Sequence, residues 1–292
     1  MPLTRRTFLL GGASAAVLAA CGGNDDDAPA SGSTSTPTTA TAGLTIARVF
    51  APTQPVGTEL RLPLALADGE QAILDDPPAS ITVRYGPEGS SERSEPIEVE
   101  RHDDGIPTPY FPLVLTLPEI GSWQLDIEAA GQRAAASVKA VAANEVPAVP
   151  GRGEPLIALP TPTTEQPGGV DPICTRDPVC PFHDQTLEAA MSSGKAIAFL
   201  ISTPQFCQTA ICGPVLDLLV ARQEQYAETV AFVHAEVYTD STAKTPAPAV
   251  QAYGLTWEPS LFLAMPDGTI TSRLDYTYDA VELDRALSLL VQ

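Results

Sequence analysis

Apolar and polar residues alternate in short runs between residues 44 and 143. Clear examples occupy residues 81–85, 113–117 and 123–128. A period of two is typical of a strand that buries one face, and turns that contain glycine, such as Asp104–Gly105, separate the runs. The first half of the chain is therefore predicted to be an all-β antiparallel sandwich.

A different pattern runs from about residue 173 to residue 292. Continuous apolar runs predict strands that are covered on both faces, and amphipathic runs between them predict helices. The predicted order is helix, strand, helix, strand, helix, strand, strand, helix, near residues 187–191, 196–202, 214–226, 230–237, 248–253, 260–265, 269–274 and 279–291. This order is typical of an α/β domain.

Between these two patterns, residues 144–172 are rich in proline. Proline lacks the backbone donor that helices and sheets require, so the segment is predicted to be an extended linker between two domains. The whole chain has a formal net charge of −20. Such a surface repels polyanions, which argues against a DNA- or RNA-binding function.

The first 21 residues have the features of an export signal. Paired arginines at positions 5 and 6 precede an apolar run over residues 8–20, which is shorter than the roughly 20 residues that span a membrane. The arginine pair resembles a twin-arginine signal, and the Leu-Ala-Ala-Cys stretch that ends at Cys21 resembles a bacterial lipobox. The resemblance implies an exported protein with a lipid on Cys21, held at the extracytoplasmic side of the cell membrane. Residues 22–43, which are nearly free of apolar side chains, would form a flexible tether.

Four further cysteines follow, at positions 174, 180, 207 and 212. An even number of cysteines in an oxidising compartment predicts two disulfides, with three possible connectivities. Prolines flank Cys174 and Cys180, and this pair is predicted to form a structural disulfide. Cys207 and Cys212 could be a second structural disulfide or a redox-active pair.

Cys207 and Cys212 lie between a predicted strand and a predicted helix. In a helix, residues five apart have Cα atoms about 8–9 Å apart, whereas a disulfide needs less than about 7 Å, so the pair can bridge only if it lies in a loop. The positive end of the helix favours a thiolate nearby. We expect Cys212 to be the nucleophile and Cys207 the resolving cysteine, and the opposite assignment stays open.

Two short motifs and the element order give the region 185–292 a resemblance to thioredoxin. Cys212-Gly213-Pro214 resembles the start of the thioredoxin motif, and Trp257-Glu258-Pro259-Ser260 opens the third strand, where thioredoxins place a cis-proline. The resemblance implies a thioredoxin-like domain over residues 173–292 with Cys207 and Cys212 as catalytic residues and Glu258 and Pro259 as substrate-binding residues. It implies no cofactor. One departure is Val215, which stands where the second thioredoxin cysteine would be.

The sandwich over residues 44–143 resembles an immunoglobulin-like domain, because a Gly121-Ser122-Trp123 strand is followed by a turn at Gly131. The predicted fold is therefore an immunoglobulin-like sandwich followed by a thioredoxin-like domain. The expected function is extracytoplasmic thiol–disulfide exchange with protein thiol or disulfide partners. The main alternative is a non-catalytic cell-surface binding module that is stabilised by structural disulfides.

Two further alternatives rest on other residues. Thr203, Cys207 and Cys212 resemble the cysteine loop of some peroxiredoxins, in which case Arg222 would be the activating arginine. Copper-delivering thioredoxin-like proteins use two cysteines and a histidine, for which His183 and His234 are candidates. No metal site is predicted in preference to these functions.

Overall fold

The computed structural model of the protein describes residues 43–291, so the predicted signal, the lipidation site Cys21 and most of the predicted tether lie outside the described residues. Within this range the protein is rich in β-strands and contains fewer residues in helices. No helix in residues 43–291 combines the length and the apolar character needed to cross a membrane.

The N-terminal half consists of two sheets that enclose one apolar core. Strands β1, β3 and β6 form one sheet, and the other has the order β2-β8-β7-β4-β5. The strands are β1 (Thr45–Arg48), β2 (Thr53–Pro55), β3 (Glu59–Ala67), β4 (Ser80–Pro87), β5 (Ile97–Glu100), β6 (Phe111–Thr116), β7 (Gly121–Ala129) and β8 (Gln132–Val141), followed by a short 3-10 helix at Ala143–Glu145.

Strand β7 shows why the alternating pattern produces this sandwich. Trp123, Leu125 and Ile127 are buried in the core, whereas the polar residues between them are less buried. Successive side chains of a strand point to opposite faces, so alternation places one apolar face against the second sheet. The all-β prediction for this half is confirmed.

The C-terminal half contains one four-stranded sheet with the order β10-β9-β11-β12. Strands β9 and β10 are parallel, and the remaining neighbours are antiparallel. The elements are α1 (Leu187–Met191), β9 (Ala196–Ile201), α2 (Cys212–Tyr226), β10 (Val230–Ala235), α3 (Pro248–Tyr253), β11 (Ser260–Ala264), β12 (Ile270–Asp275) and α4 (Ala280–Ser288). Their order is the one that the apolar pattern predicts, although α2 begins two residues before the predicted start at Pro214.

Strand β9 is apolar at every position because both faces of this sheet are covered. Ala196, Ala198 and Leu200 belong to a core that includes residues of α2 and α4. The alternate positions of β9 belong to a second core that includes residues of α1 and α3. A strand that is buried on both faces needs no polar positions, which explains the continuous apolar run.

Residues 146–172 form no helix or strand, yet they pack against the C-terminal sheet. Leu156 and Leu159 are buried in the core beside α1 and α3. The backbone N–H of Leu156 donates to the carbonyl of Gly268 at 2.9 Å, and the N–H of Ile270 donates to the carbonyl of Glu154 at 2.9 Å. The proline-rich segment is thus attached to the C-terminal half rather than spaced away from it.

Charged residues connect the two halves of the described chain. Arg61 of β3 pairs with Glu282 of α4 through an Nε–Oε1 contact of 2.8 Å, and its guanidinium also donates to the backbone carbonyls of Asp275 and Thr277. Tyr110 donates a hydrogen bond from its hydroxyl to the same Glu282 carboxylate. The guanidinium and the carboxylate are mostly shielded from solvent, so the halves meet through a partly buried polar contact.

A second polar contact lies beside the first. Nδ1 of His102 is 2.9 Å from Oδ1 of Asp279, and both side chains are buried. The same Asp279 carboxylate caps α4 by accepting a hydrogen bond from the backbone N–H of Glu282. The start of α4 is therefore held by residues from both halves.

Candidate functional site

Cys207 and Cys212 lie in the connection between β9 and α2. Residues 202–211 form turns without helix or strand, and Cys212 is the first residue of α2. Pro214 suits the first turn of this helix, because the N–H that proline lacks has no partner within the helix there. Cys207 is thus in a loop, as the sequence predicts, and Cys212 is at the positive end of a helix.

A tight turn brings the two cysteines together. Ala210 has a φ of 56°, in the left-handed region that residues other than glycine seldom adopt. The backbone N–H of Cys212 donates to Sγ of Cys207 at 3.4 Å, and the hydroxyl of Thr209 lies 3.4 Å from the same sulfur. Both cysteines are free thiols, so the structure describes the reduced form of the pair.

The two thiols have different environments. A hydrogen bond with the Cys212 thiol, supported by Thr209 and the Cys212 backbone N–H, lowers the pKa of Cys207 from 9.0 to about 5 against the opposing effect of burial. The Cys207 thiol and burial raise the pKa of Cys212 above its ordinary value. Cys207 is partly exposed, whereas Cys212 is fully buried. Cys207 is therefore the thiolate that an external molecule can reach.

This arrangement favours the opposite assignment to the one that we expected from the helix dipole. The first N–H groups of a helix carry much of its partial positive charge. Here the N–H of Cys212 is aimed at the sulfur of Cys207 rather than at its own side chain. The helix start therefore stabilises a thiolate that is five residues away in sequence.

Glu258 lies close enough to both cysteines to affect them electrostatically. Burial, followed by the charge of Cys207, raises the pKa of Glu258, and the Glu258 carboxylate contributes to the raised pKa of Cys212. Tyr238 borders the same place, since burial and then Glu258 and the two cysteines raise its pKa. The ring of Phe206 packs edge-on against Tyr238, with ring centroids 6.1 Å apart. Tyr238 and Phe206 carry no motif, and sequence reasoning missed them.

Pro259 is buried and follows Glu258 through a cis peptide bond. Its carbonyl accepts a hydrogen bond from the backbone N–H of Tyr276 at 2.9 Å. That carbonyl is therefore already used within the protein, which limits the backbone groups that Pro259 could offer to a bound peptide. Glu258 is the member of this predicted pair that reaches the cysteines electrostatically.

Of the residues of the peroxiredoxin alternative, Thr203 lies beside Cys212, but Arg222 does not reach the cysteines. Arg222 donates to both carboxylate oxygens of Asp284, at 2.8 and 3.0 Å. It is also ten residues along α2 from Cys212, which corresponds to about 15 Å along the helix axis. The hydroxyl of Thr203 is buried and has no hydrogen-bond partner within the described part of the chain. An activating arginine at Cys207 is thus not provided by Arg222.

The other two cysteines form a separate cluster with two histidines. Cys174, Cys180, His183 and His234 are all buried, and one ligand atom from each lies within 4.8 Å of the others. Cys174 and Cys180 are also free thiols, and both sulfurs face Nδ1 of His234, so the structure describes this pair in the reduced form and the Cys174–Cys180 disulfide stays a prediction. We call these four residues the cysteine–histidine cluster. The sequence signal for it was the short spacing of Cys174, Cys180 and His183, which is also typical of metal ligands.

Comparison with known proteins adds little. No protein-family model and no curated protein matches the chain. Among solved structures, the superoxide reductase (neelaredoxin) from Ignicoccus hospitalis is 13% identical, with 35% of this chain and 82% of that chain covered and a TM-score of 0.22. The CARDB domain of a Pyrococcus furiosus protein, solved with di-metal ions, is 13% identical, with 34% and 86% covered and a TM-score of 0.19. Likeness at these scores carries no argument about fold or function.

Proposed function

We propose that this protein is an extracytoplasmic thiol–disulfide oxidoreductase in which Cys207 is the nucleophile and Cys212 the resolving cysteine. The observation that carries the proposal is the difference between the two thiols. Cys207 is partly exposed and has a pKa of about 5, whereas Cys212 is buried and has a raised pKa. A reactive thiolate beside a protonated thiol is the starting state that thiol–disulfide exchange requires.

The proposed fold of the C-terminal half is thioredoxin-like. Support comes from the parallel β9–β10 pair with antiparallel β11 and β12, and from helices that pack on both faces of this sheet. The Cys212-Gly213-Pro214 motif at the start of α2 and the Glu258–Pro259 pair before β11 give further support. For the N-terminal half we propose an immunoglobulin-like sandwich that serves as a spacer or partner-binding domain.

The proposed reaction begins when the Cys207 thiolate attacks one sulfur of a disulfide in a partner protein. The Cys207–partner bond forms, the partner disulfide breaks, and the second partner sulfur leaves as a thiolate that takes up a proton. Cys212 then loses its proton and attacks Sγ of Cys207. This step releases the partner as a dithiol and leaves a Cys207–Cys212 disulfide, so two electrons pass to the partner.

A further dithiol protein must return the Cys207–Cys212 disulfide to its reduced form. In the reverse direction, the same steps oxidise a partner dithiol to a disulfide and reduce the Cys207–Cys212 disulfide of this protein. No cofactor takes part in either direction. Glu258 is suited to accept the Cys212 proton, because its carboxylate interacts electrostatically with both cysteines and burial raises its pKa.

We further propose that the protein acts at the extracytoplasmic side of the cell membrane, to which a lipid on Cys21 would anchor it. This proposal rests on the sequence signal alone. The proposed partners are proteins with accessible thiols or disulfides, and the net charge of −20 disfavours nucleic acid.

Trapping of mixed disulfides tests the proposal. A Cys212→Ser variant should form a stable mixed disulfide between Cys207 and a disulfide-bonded model protein, because resolution is blocked. The Cys207→Ser variant is the matched control and should trap at least about 100-fold less adduct, since its remaining thiol at position 212 is buried. Equal trapping by both variants, or adduct mapped to Cys212, would contradict the assignment.

A further inference from the structure

We infer that Cys174, Cys180, His183 and His234 form a structural zinc site. These four residues take no part in the proposed thiol exchange, and each exposes at most 4% of its surface. Two thiols and two imidazoles that are removed from water and gathered within 4.8 Å need partners. One tetrahedral cation would be a partner for all four.

The distances from Nδ1 of His234 to the other three ligand atoms agree with a tetrahedral zinc ion. Zn–S and Zn–N bonds of about 2.3 and 2.0–2.1 Å at tetrahedral angles require S···N distances of about 3.6 Å and N···N distances of about 3.3 Å. Nδ1 of His234 lies 3.8 Å from Sγ of Cys174 and 3.5 Å from Sγ of Cys180. The same nitrogen lies 3.1 Å from Nε2 of His183. All three distances lie within about 0.3 Å of the values that zinc requires.

The orientation of His234 also suits a metal ligand. Its other ring nitrogen, Nε2, is 3.2 Å from the backbone carbonyl of Ser202 and 3.0 Å from the hydroxyl of the same residue. If Nε2 carries the proton and donates it to this carbonyl, Nδ1 is left with a free lone pair that points into the cluster. A carbonyl in this position is the partner that commonly fixes the tautomer of a metal-bound histidine.

The donor set selects the metal and the role of the site. Two thiolates and two imidazoles suit zinc and do not suit magnesium or calcium, which prefer oxygen ligands. The two thiolates also neutralise the charge of Zn2+, so a fully buried site carries no net charge. Four protein ligands complete the tetrahedron and leave no position for a substrate, which is typical of a structural site.

The cluster is connected to the loop that carries Cys207. Ser202 follows β9 directly, and its backbone carbonyl lies 3.2 Å from Nε2 of His234. Thr175, the neighbour of Cys174, bonds to the Glu236 carboxylate through its N–H at 2.6 Å and its hydroxyl at 2.8 Å. The Thr175 hydroxyl in turn accepts a hydrogen bond from the backbone N–H of Gln205 at 3.1 Å. A bound zinc ion would therefore brace both ends of the segment that leads to Cys207.

Metal analysis of the purified protein tests the inference. Wild-type protein from zinc-supplied cells, purified without chelators or a histidine tag, should contain about one zinc ion per chain by mass spectrometry of the elements. Cys180→Ser and His234→Asn should reduce the content at least about tenfold. Cys207→Ser and His102→Asn are matched controls, which remove a cysteine and a histidine outside the cluster, and they should retain the full content.

Reconstitution with cobalt identifies the ligands directly. The metal-free wild-type protein with Co2+ should show thiolate-to-cobalt charge transfer and the strong visible bands of a tetrahedral site, and Cys207→Ser should give the same spectrum. If the cluster variants do not fold, the wild-type protein still decides the question. Removing the metal with a strong chelator should lower Tm by about 5 °C or more, and added zinc should restore it.

Three results would overturn the inference. The first is a wild-type protein that holds no zinc and shows a Cys174–Cys180 disulfide in mass mapping without reduction. The second is full zinc content in the cluster variants, and the third is a Tm that the chelator does not change. Because Cys207→Ser should keep its zinc, failure of the zinc site and failure of the proposed thiol exchange are distinguishable.

Discussion

The Ser202 backbone carbonyl lies 3.2 Å from Nε2 of the His234 imidazole. Ser202 is the first residue after β9 and begins the loop that leads to Cys207, whereas His234 is inside β10. This contact therefore links a buried cluster between two strands to the partly exposed thiol. A substitution of His234 should therefore shift the loop and change the reactivity of the Cys207 thiol.

The low pKa of Cys207 depends mainly on its partner cysteine. A Cys212→Ala change removes the thiol hydrogen bond but keeps the backbone N–H donor, so the pKa of Cys207 should rise from about 5 by at least about one unit. The pH dependence of the alkylation rate of Cys207 measures it. Thr209→Val should produce a smaller rise, because Thr209 is the weaker hydrogen-bond partner. An unchanged pKa in Cys212→Ala would mean that the pair is not coupled.

Glu258 should matter for the second step of the reaction and not for the first. A Glu258→Gln change removes the base that we assign to Cys212, so resolution of the mixed disulfide should slow by about 100-fold. In the wild-type protein the resolution rate should rise as pH increases through the raised pKa of Glu258, and this rise should vanish in the variant. Rapid-quench measurement of the two steps separates them. A slower first step with normal resolution would contradict this role.

The His102–Asp279 pair should make stability depend on pH. The hydrogen bond that His102 donates to the Asp279 carboxylate raises the pKa of His102. The stability gained from protonated His102 is therefore complete below the unfolded pKa of about 6.5 and is lost as pH rises through the raised pKa. Burial acts to raise the pKa of Asp279, but hydrogen bonds, chiefly the one with His102, lower this pKa below its ordinary value. The stability gained from ionised Asp279 is therefore present above about pH 4 and is lost as pH falls through the lowered pKa.

Asp279→Asn isolates this charge effect, because asparagine is an equally good N-cap for α4. The variant should lose about 2 kcal/mol of unfolding free energy near pH 5.5 and clearly less at pH 9. Urea denaturation at the two pH values measures the difference. A loss of equal size at both pH values would show that the charge of His102 is not involved.

Removing only one partner of the Arg61–Glu282 ion pair should lower the free energy of unfolding. Arg61→Met leaves the Glu282 carboxylate shielded from water without its main charge partner and should cost about 3 kcal/mol. Adding Glu282→Gln removes the stranded charge and leaves a side-chain amide that Tyr110 can still contact, so the double variant should regain more than half of the loss. Urea denaturation of the three proteins tests this. If the double variant were no more stable than Arg61→Met, the unpaired Glu282 charge would not be the cause of the loss.

The order of strands and helices could be predicted from the sequence because each depends on a local apolar period. Strand β7 alternates because one face is buried, and β9 is continuously apolar because both faces are. The contact between the halves could not be predicted in this way. Arg61 and Glu282 are separated by 221 residues, and nothing in the local sequence of either residue indicates its partner.

The same limit applies to the two cysteine sites. The spacing of Cys207 and Cys212 showed that they could pair in a loop, but only the direction of the Cys212 N–H indicates which thiol is stabilised. His234 is 54 residues from Cys180, inside an apolar strand where a histidine usually has a packing role. The prediction of a Cys174–Cys180 disulfide considered the two cysteines alone, because the sequence does not show that imidazoles from residues 183 and 234 lie beside them.

The most direct test of the central claim is a redox titration of the wild-type protein with mass mapping of each cysteine. The account predicts that Cys207 and Cys212 oxidise and reduce together at a midpoint between about −270 and −120 mV, the range of catalytic pairs. Alkylation in the reduced state should label Cys207 first. If the Cys207–Cys212 disulfide in the folded protein has a midpoint potential below about −300 mV, it is a structural disulfide, and the proposed function is contradicted.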